Sequence, residues 1–122
     1  MTSSEFEWPA SLDALVAAAD HHSVILENDA VRVLDTRVSP GDAVPLHTHR
    51  WPAVQYILSW SDFIRRDSTG AVLLDTRGMQ APVAGSALWS GPSAPHTLEN
   101  VGGGELHVLS VELKSPGSGL GR

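Results

Sequence analysis

From position 23 onward, the apolar residues come in short runs rich in Val, Leu and Ile, broken at close intervals by Gly, Pro, Asp and Asn. That rhythm belongs to many short strands joined by turns, in a sandwich or a barrel. The expected strands are 23–26, 31–38, 43–49, 53–58, 62–66, 71–75, 87–89, 96–98 and 106–113. Asp67-Ser68-Thr69-Gly70 reads as a hairpin loop with Gly70 in the left-handed position. Before position 23 the period becomes helical. After Pro9, residues Leu12, Leu15, Val16 and Ala19 share one face of a helix over 10–19. The expected organisation is a helical segment over 1–22, a β-barrel over 23–114 and a Gly/Ser-rich tail over 115–122. The fold class is all-β with one short N-terminal helix.

A length of 122 residues suits one domain and is short for two. The formal charge of -6, with Arg65 and Arg66 the one adjacent pair of cations, argues against nucleic acid as a partner. The absence of cysteine excludes disulfides, thiolate metal sites and a cysteine nucleophile. No apolar run approaches the ~20 residues of a membrane span, and the acidic start lacks the basic opening of a secretory signal. A cytoplasmic protein with no membrane partner is expected.

The candidate chemistry lies in the histidines. His47 and His49 are one residue apart on an expected strand, so both imidazoles project to the same side, about 7 Å apart at Cα. His96 begins a later strand, and a barrel can bring it across to complete a trio. Taken alone, a strand His-x-His pair is as readily a surface feature as a metal site. His107 shares a face with Leu109, Val111 and Leu113 and reads as a satisfied core histidine. His21-His22 follows the helix, where a cation near the C-terminus is mildly favourable and no metal is needed.

In the spacing around these residues the sequence resembles the cupin superfamily. Gly41, His47 and His49 fit the opening of the first cupin motif, G-x5-H-x-H. Gly85, His96 and Asn100 fit the first, second-last and last anchors of the second, G-x5-P-x-G-x2-H-x3-N. Tyr56-Ile57-Leu58 looks like the tyrosine-valine-leucine strand of many cupins. The resemblance covers about 24–114 and implies a jelly-roll β-barrel with a metal held by His47, His49 and His96. The metal-binding Glu of the pattern falls on Ala53, which cannot bind a metal. The glycine ending the first motif is replaced by Trp60, and the Pro and Gly of the second fall on Gly91 and Ser93. Gln55, on the face of Ala53, is the substitute to weigh, as a weak ligand or as a cavity-lining polar group.

Three neutral imidazoles suit iron, zinc, nickel or copper, with manganese a further candidate, and leave a position open for water or substrate. The resemblance includes three-histidine iron sites in thiol and diketone dioxygenases. Trp51, Tyr56, Trp60 and Trp89, with Phe63, could wall the pocket, although ordinary core packing accounts for such residues as well. Arg65 and Arg66 point to opposite faces, so one could face inward and hold an acidic substrate, but a solvated edge strand suits both. Three readings stand together. One is a metal-dependent enzyme, oxygenase-like or an isomerase or hydrolase, acting on a small organic acid or carbonyl compound. The others are a non-catalytic module for a small ligand and a metal-free cupin. Val44 and Leu46 are expected on the outer face, opposite His47 and His49. The apolar faces, together with the resemblance, imply a homodimer.

Overall fold

In the computed structural model, which describes residues 8–114, Asp13 breaks the expected helix in two. A 3-10 turn spans Ala10–Leu12, Asp13 itself is extended, and one helical turn, α1, spans Ala14–Ala17. The Asp13 carboxylate accepts from the Leu15 amide at 3.1 Å, an N-cap that starts the helix later than the apolar period suggests. The buried positions are therefore Ala14 and Ala18, while Val16 is exposed. The backbone of Asp13 also forms a bridge to Thr48. The expected tail over 115–122 lies outside the described residues.

The strands are β1 (His22–Glu27), β2 (Val31–Val38), β3 (Ala43–His49), β4 (Ala53–Ser59), β5 (Phe63–Asp67), β6 (Val72–Asp75), β7 (Ala87–Ser90), β8 (Ser93–Asn100) and β9 (Leu106–Leu113). They pair antiparallel in two sheets, ordered β1-β2-β9-β4-β7 and β3-β8-β5-β6. This is the all-β sandwich expected from the sequence. Strand β1 starts at His22, one residue before the expected barrel boundary, and β8 starts at Ser93, ahead of the expected 96.

Alternation decides what faces the interior. Leu34 and Val38 on β2, Ala53 and Ile57 on β4, and Leu106, Ser110 and Glu112 on β9 are all buried. Strand β3 departs from strict alternation. Its register on β8 shifts between Val44 and His47 and again between His47 and His49. These irregularities bring Val44 into the core beside Val38, Phe63 and Leu106, so the expected outward placement of Val44 is corrected.

Two turns carry sequence signals that the structure explains. Gly70 has φ +91°, the left-handed conformation the hairpin needs. A Cβ on Gly102 would lie 2.8 Å from the Asp62 amide nitrogen, so the β8–β9 loop passes too close for any side chain. Asn100 ties this corner together. Its amide donates to the carbonyls of Val38 and Gly104, and its oxygen accepts from the Ser61 hydroxyl and the Gly102 amide. That is why this anchor is an asparagine: four partners surround a side chain that is 1% exposed.

Candidate metal centre

Between the sheets lies a cavity of about 360 Å³, lined by residues of both. At one side of it four imidazoles converge. His47 and His96 are directly cross-strand on β3 and β8, with ring centroids 4.3 Å apart. The ring of His49 lies 4.9 Å from that of His47 and 5.8 Å from that of His96. The rings of His47, His49 and His96 therefore lie side by side, although His96 is not among the three residues whose ligand nitrogens are all mutually within 4.8 Å. The fourth ring is His22, from β1 on the opposite sheet, 5.1 Å from His47 and 5.4 Å from His49. Nitrogens of His22, His47 and His49 lie within 4.8 Å of one another. His22 keeps a contact with the helix end through the Ala18 carbonyl, but it is a buried strand residue and not the expected cation, while its neighbour His21 turns away to pair with Asp42 at 2.8 Å.

The hydrogen bonds of the four rings share one polarity. Nδ1 of His47 donates to the Pro45 carbonyl at 2.7 Å, that of His96 to Ala94 at 2.8 Å, and that of His22 to Ala18 at 3.0 Å. Nδ1 of His49 donates to the Glu112 carboxylate at 3.0 Å. Carbonyl and carboxylate oxygens accept only, so each Nδ1 carries the proton and each neutral ring keeps its lone pair on Nε2. Burial pushes the His22 pKa down to about 4, against the raising effect of its bond to Ala18. Burial, with the neighbouring rings of His96 and His49, takes His47 down to about 2. Burial takes His96 to about 4, with the Arg65 charge adding to the effect. These rings are neutral at pH 7, the form that binds a metal.

Glu112 is the residue the sequence reading missed. It is 0% exposed and stands cross-strand from Ala53, the position of the cupin Glu. The small Ala53 side chain leaves that space to Glu112, whose carboxylate accepts from His49 on one oxygen and from Arg32 Nε at 2.7 Å on the other. Arg32 continues to both carboxylate oxygens of Asp13. The chain Asp13–Arg32–Glu112–His49 thus links the N-terminal segment to one ring of the cluster. Alternation along 106–113 and 31–38 puts Glu112 and Arg32 on the inner face. The 80 residues between them hide their pairing in the sequence.

The remaining candidates divide. Gln55 lines the cavity, but its amide oxygen accepts from Ser110 and its nitrogen donates to Ser90, so both ends are engaged. Trp60 and Phe63 form an apolar wall with ring centroids 5.4 Å apart. Trp89 stands at the cavity mouth, 63% exposed. Tyr56 is corrected to the outer face, because Ala53, Gln55 and Ile57 take the inner one. Trp51 is corrected too. It lies outside the main cavity, within 5.5 Å of the Arg32, Arg50 and Lys114 charges. Arg65 faces the cavity and Arg66 pairs outward with Glu99, and β5 is flanked by β8 and β6, so the edge-strand reading fails for both. His107 is satisfied by Asp35 on the outer side of the sheet and not in the core.

Solved structures with this arrangement of sheets include a cupin domain from Bordetella pertussis Tohama I, with a TM-score of 0.62 at 18% identity over 77% of this chain and 92% of that one. An RmlC-like cupin family protein with a double-stranded β-helix fold from Methanocaldococcus jannaschii gives 0.55 at 11% identity, over 83% and 84%. The polyketide cyclase RemF from Streptomyces resistomycificus gives 0.50 at 20% identity, over 75% of this chain and 63% of that one. No family model matches the sequence, and no curated protein matches it. The fold is the cupin-type double-stranded β-helix, as the two motifs imply. No helix among the described residues is long and apolar enough to cross a membrane.

Proposed function

We propose that this protein holds one divalent transition-metal ion on Nε2 of His47, His49 and His96, joined by His22, and works on a small organic acid or carbonyl compound in the adjoining cavity. The observation that carries this reading is the shared polarity of the four rings: every Nδ1 is engaged as a donor, which leaves Nε2 as the nitrogen each ring can offer an ion. An all-nitrogen donor set suits iron, zinc, nickel or copper better than magnesium or calcium. A bound ion supplies Lewis acidity and, for a redox metal such as iron, access to dioxygen chemistry. The chain's own part is to orient. Glu112 fixes the tautomer of His49, the Pro45 and Ala94 carbonyls fix His47 and His96, and the Trp60–Phe63 wall excludes water from a bound substrate. Oxidative cleavage and isomerisation or hydrolysis are the reactions this arrangement supports.

The second reading is a non-catalytic ligand-binding module. It draws support from the carboxylates: Glu112 is paired on both oxygens and is not free to move a proton. A homodimer through the outer face of the five-stranded sheet is part of the same proposal, supported by Tyr56 and Leu58 standing exposed there. Light scattering showing a mass near 13.0 kDa would rule it out. Elemental analysis of protein purified without a histidine tag tests the metal. One ion per chain, lost in His49→Ala with the barrel intact by circular dichroism, is the expected result. No uptake after reconstitution with each candidate metal would replace the proposal with the module.

A further inference from the structure

Among the described residues no acidic side chain pairs with Arg65. Its side chain points into the cavity from β5, with Phe63 on its own strand, Leu98 cross-strand on β8 and Leu74 cross-strand on β6, all lining the same space. The guanidinium carbon lies 5.7 Å from the centre of the Phe63 ring. The acidic residue nearest in register on the same face is Asp67, and it is committed elsewhere. Its carboxylate accepts from the Thr69 amide and hydroxyl and from the Ala71 amide, closing the hairpin. Glu99 pairs with Arg66, Asp62 accepts from Thr76, and Glu112 is taken by Arg32 and His49. Arg65 Nε is buried and has no hydrogen-bond partner among the described residues. Burial alone pulls the Arg65 pKa below its ordinary value, and no ion pair opposes it.

Trp60, which lines the same cavity, carries a second orphaned donor. The indole Nε1 of Trp60 is buried without a partner among the described residues, and its ring packs on the other neighbour of Arg65, Phe63. Buried donors without acceptors are costly, and two of them in one apolar cavity call for a ligand that brings the acceptors. We infer that Arg65, with Trp60 beside it, binds the carboxylate of an organic acid whose apolar body lies against Phe63, Leu74 and Leu98. The inference rests on the cavity reading above and adds which group of this chain holds the substrate's carboxylate. A guanidinium fork matches a carboxylate in geometry as well as charge. Water or chloride is the competing occupant.

The test compares 2-naphthoate with its neutral isostere 2-naphthamide by calorimetry on metal-stripped protein, where no ion can attract the carboxylate. Wild type is expected to prefer the acid by about tenfold or more, the scale of one charge-assisted pair. Arg65→Gln is expected to bring the ratio near one while keeping the affinity for the amide. Trp60→Phe is expected to weaken the acid severalfold. Equal binding of acid and amide by wild type, or a preference that survives Arg65→Gln, overturns the inference. Because Arg65→Met removes an uncompensated buried charge, it is expected to raise the melting temperature and carries the same comparison if the Gln variant does not fold. If both variants unfold, Arg65 is structural and the inference falls. Metal uptake by the same wild-type preparation is measured separately, so a failed metal site and a failed carboxylate site give different results.

Discussion

Lowering the pH from 7 to 5 should destabilise the metal-free protein steeply. The pKa values of buried His22 and His96 sit at about 4, against 6.5 for an ordinary histidine. The folded form therefore resists protonation that the unfolded chain accepts readily. Stability falls as the pH drops below 6.5 and is recovered above it, because the unfolded state binds more protons throughout that window. At pH 5 each such ring costs about 2 kcal/mol. His47, at about 2, costs about the same there, since the unfolded-state proton sets the size of the effect at that pH. The three rings together remove about 6 kcal/mol, as much as a small domain's whole reserve of ~5–15 kcal/mol. Asp67 does not share this window: held low chiefly by its bond to Thr69, it loses its contribution below its ordinary value of 3.8. The assay is urea denaturation at pH 7 and pH 5, with and without one equivalent of zinc. Zinc on Nε2 should flatten the dependence, and His22→Gln should shrink it by about one ring's share. A metal-free midpoint that does not move between pH 7 and pH 5 would refute the claim that these rings are buried and neutral.

Glu112→Gln should weaken metal binding by ~10–100-fold, the usual effect of losing a carboxylate behind a ligating histidine, as metal titration would report. It should also destabilise the fold by ~3 kcal/mol, the low end for a broken buried pair, because Asp13 still holds Arg32. His22→Ala should lower metal affinity while His21→Ala, whose ring is turned to Asp42, should leave it unchanged in the same titration. Asn100→Ala should cost at least ~3 kcal/mol in chemical denaturation, since it strands the Val38 and Gly104 carbonyls and the Ser61 hydroxyl.

The sequence made the strands legible because each apolar run is bounded by turn residues that the backbone uses as such, Gly70 above all. It made His47, His49 and His96 legible because they combine strand parity with two motif spacings. What stayed hidden depends on contacts between distant segments. His22 looks like a helix-end residue until β1 carries it across to the opposite sheet's histidines. Glu112 looks like one polar position in an apolar strand until its register on Ala53 puts it behind His49. The helix was overestimated because its period says nothing of Asp13, whose carboxylate is drawn to Leu15 and Arg32. Tyr56 and Val44 mark two limits of parity. Tyr56 follows it outward against the aromatic-wall reading, and Val44 escapes it through the register shift in β3.

The most direct test of the four-histidine centre is long-range proton–nitrogen correlation of the imidazoles during a zinc titration. In the metal-free protein at pH 7, His22, His47 and His96 should appear as neutral rings, and all four rings should carry a proton on Nδ1. Their Nε2 signals should then shift together and saturate at one equivalent of zinc. Rings protonated on Nε2, or zinc shifting His21 and His107 in their place, would contradict the account.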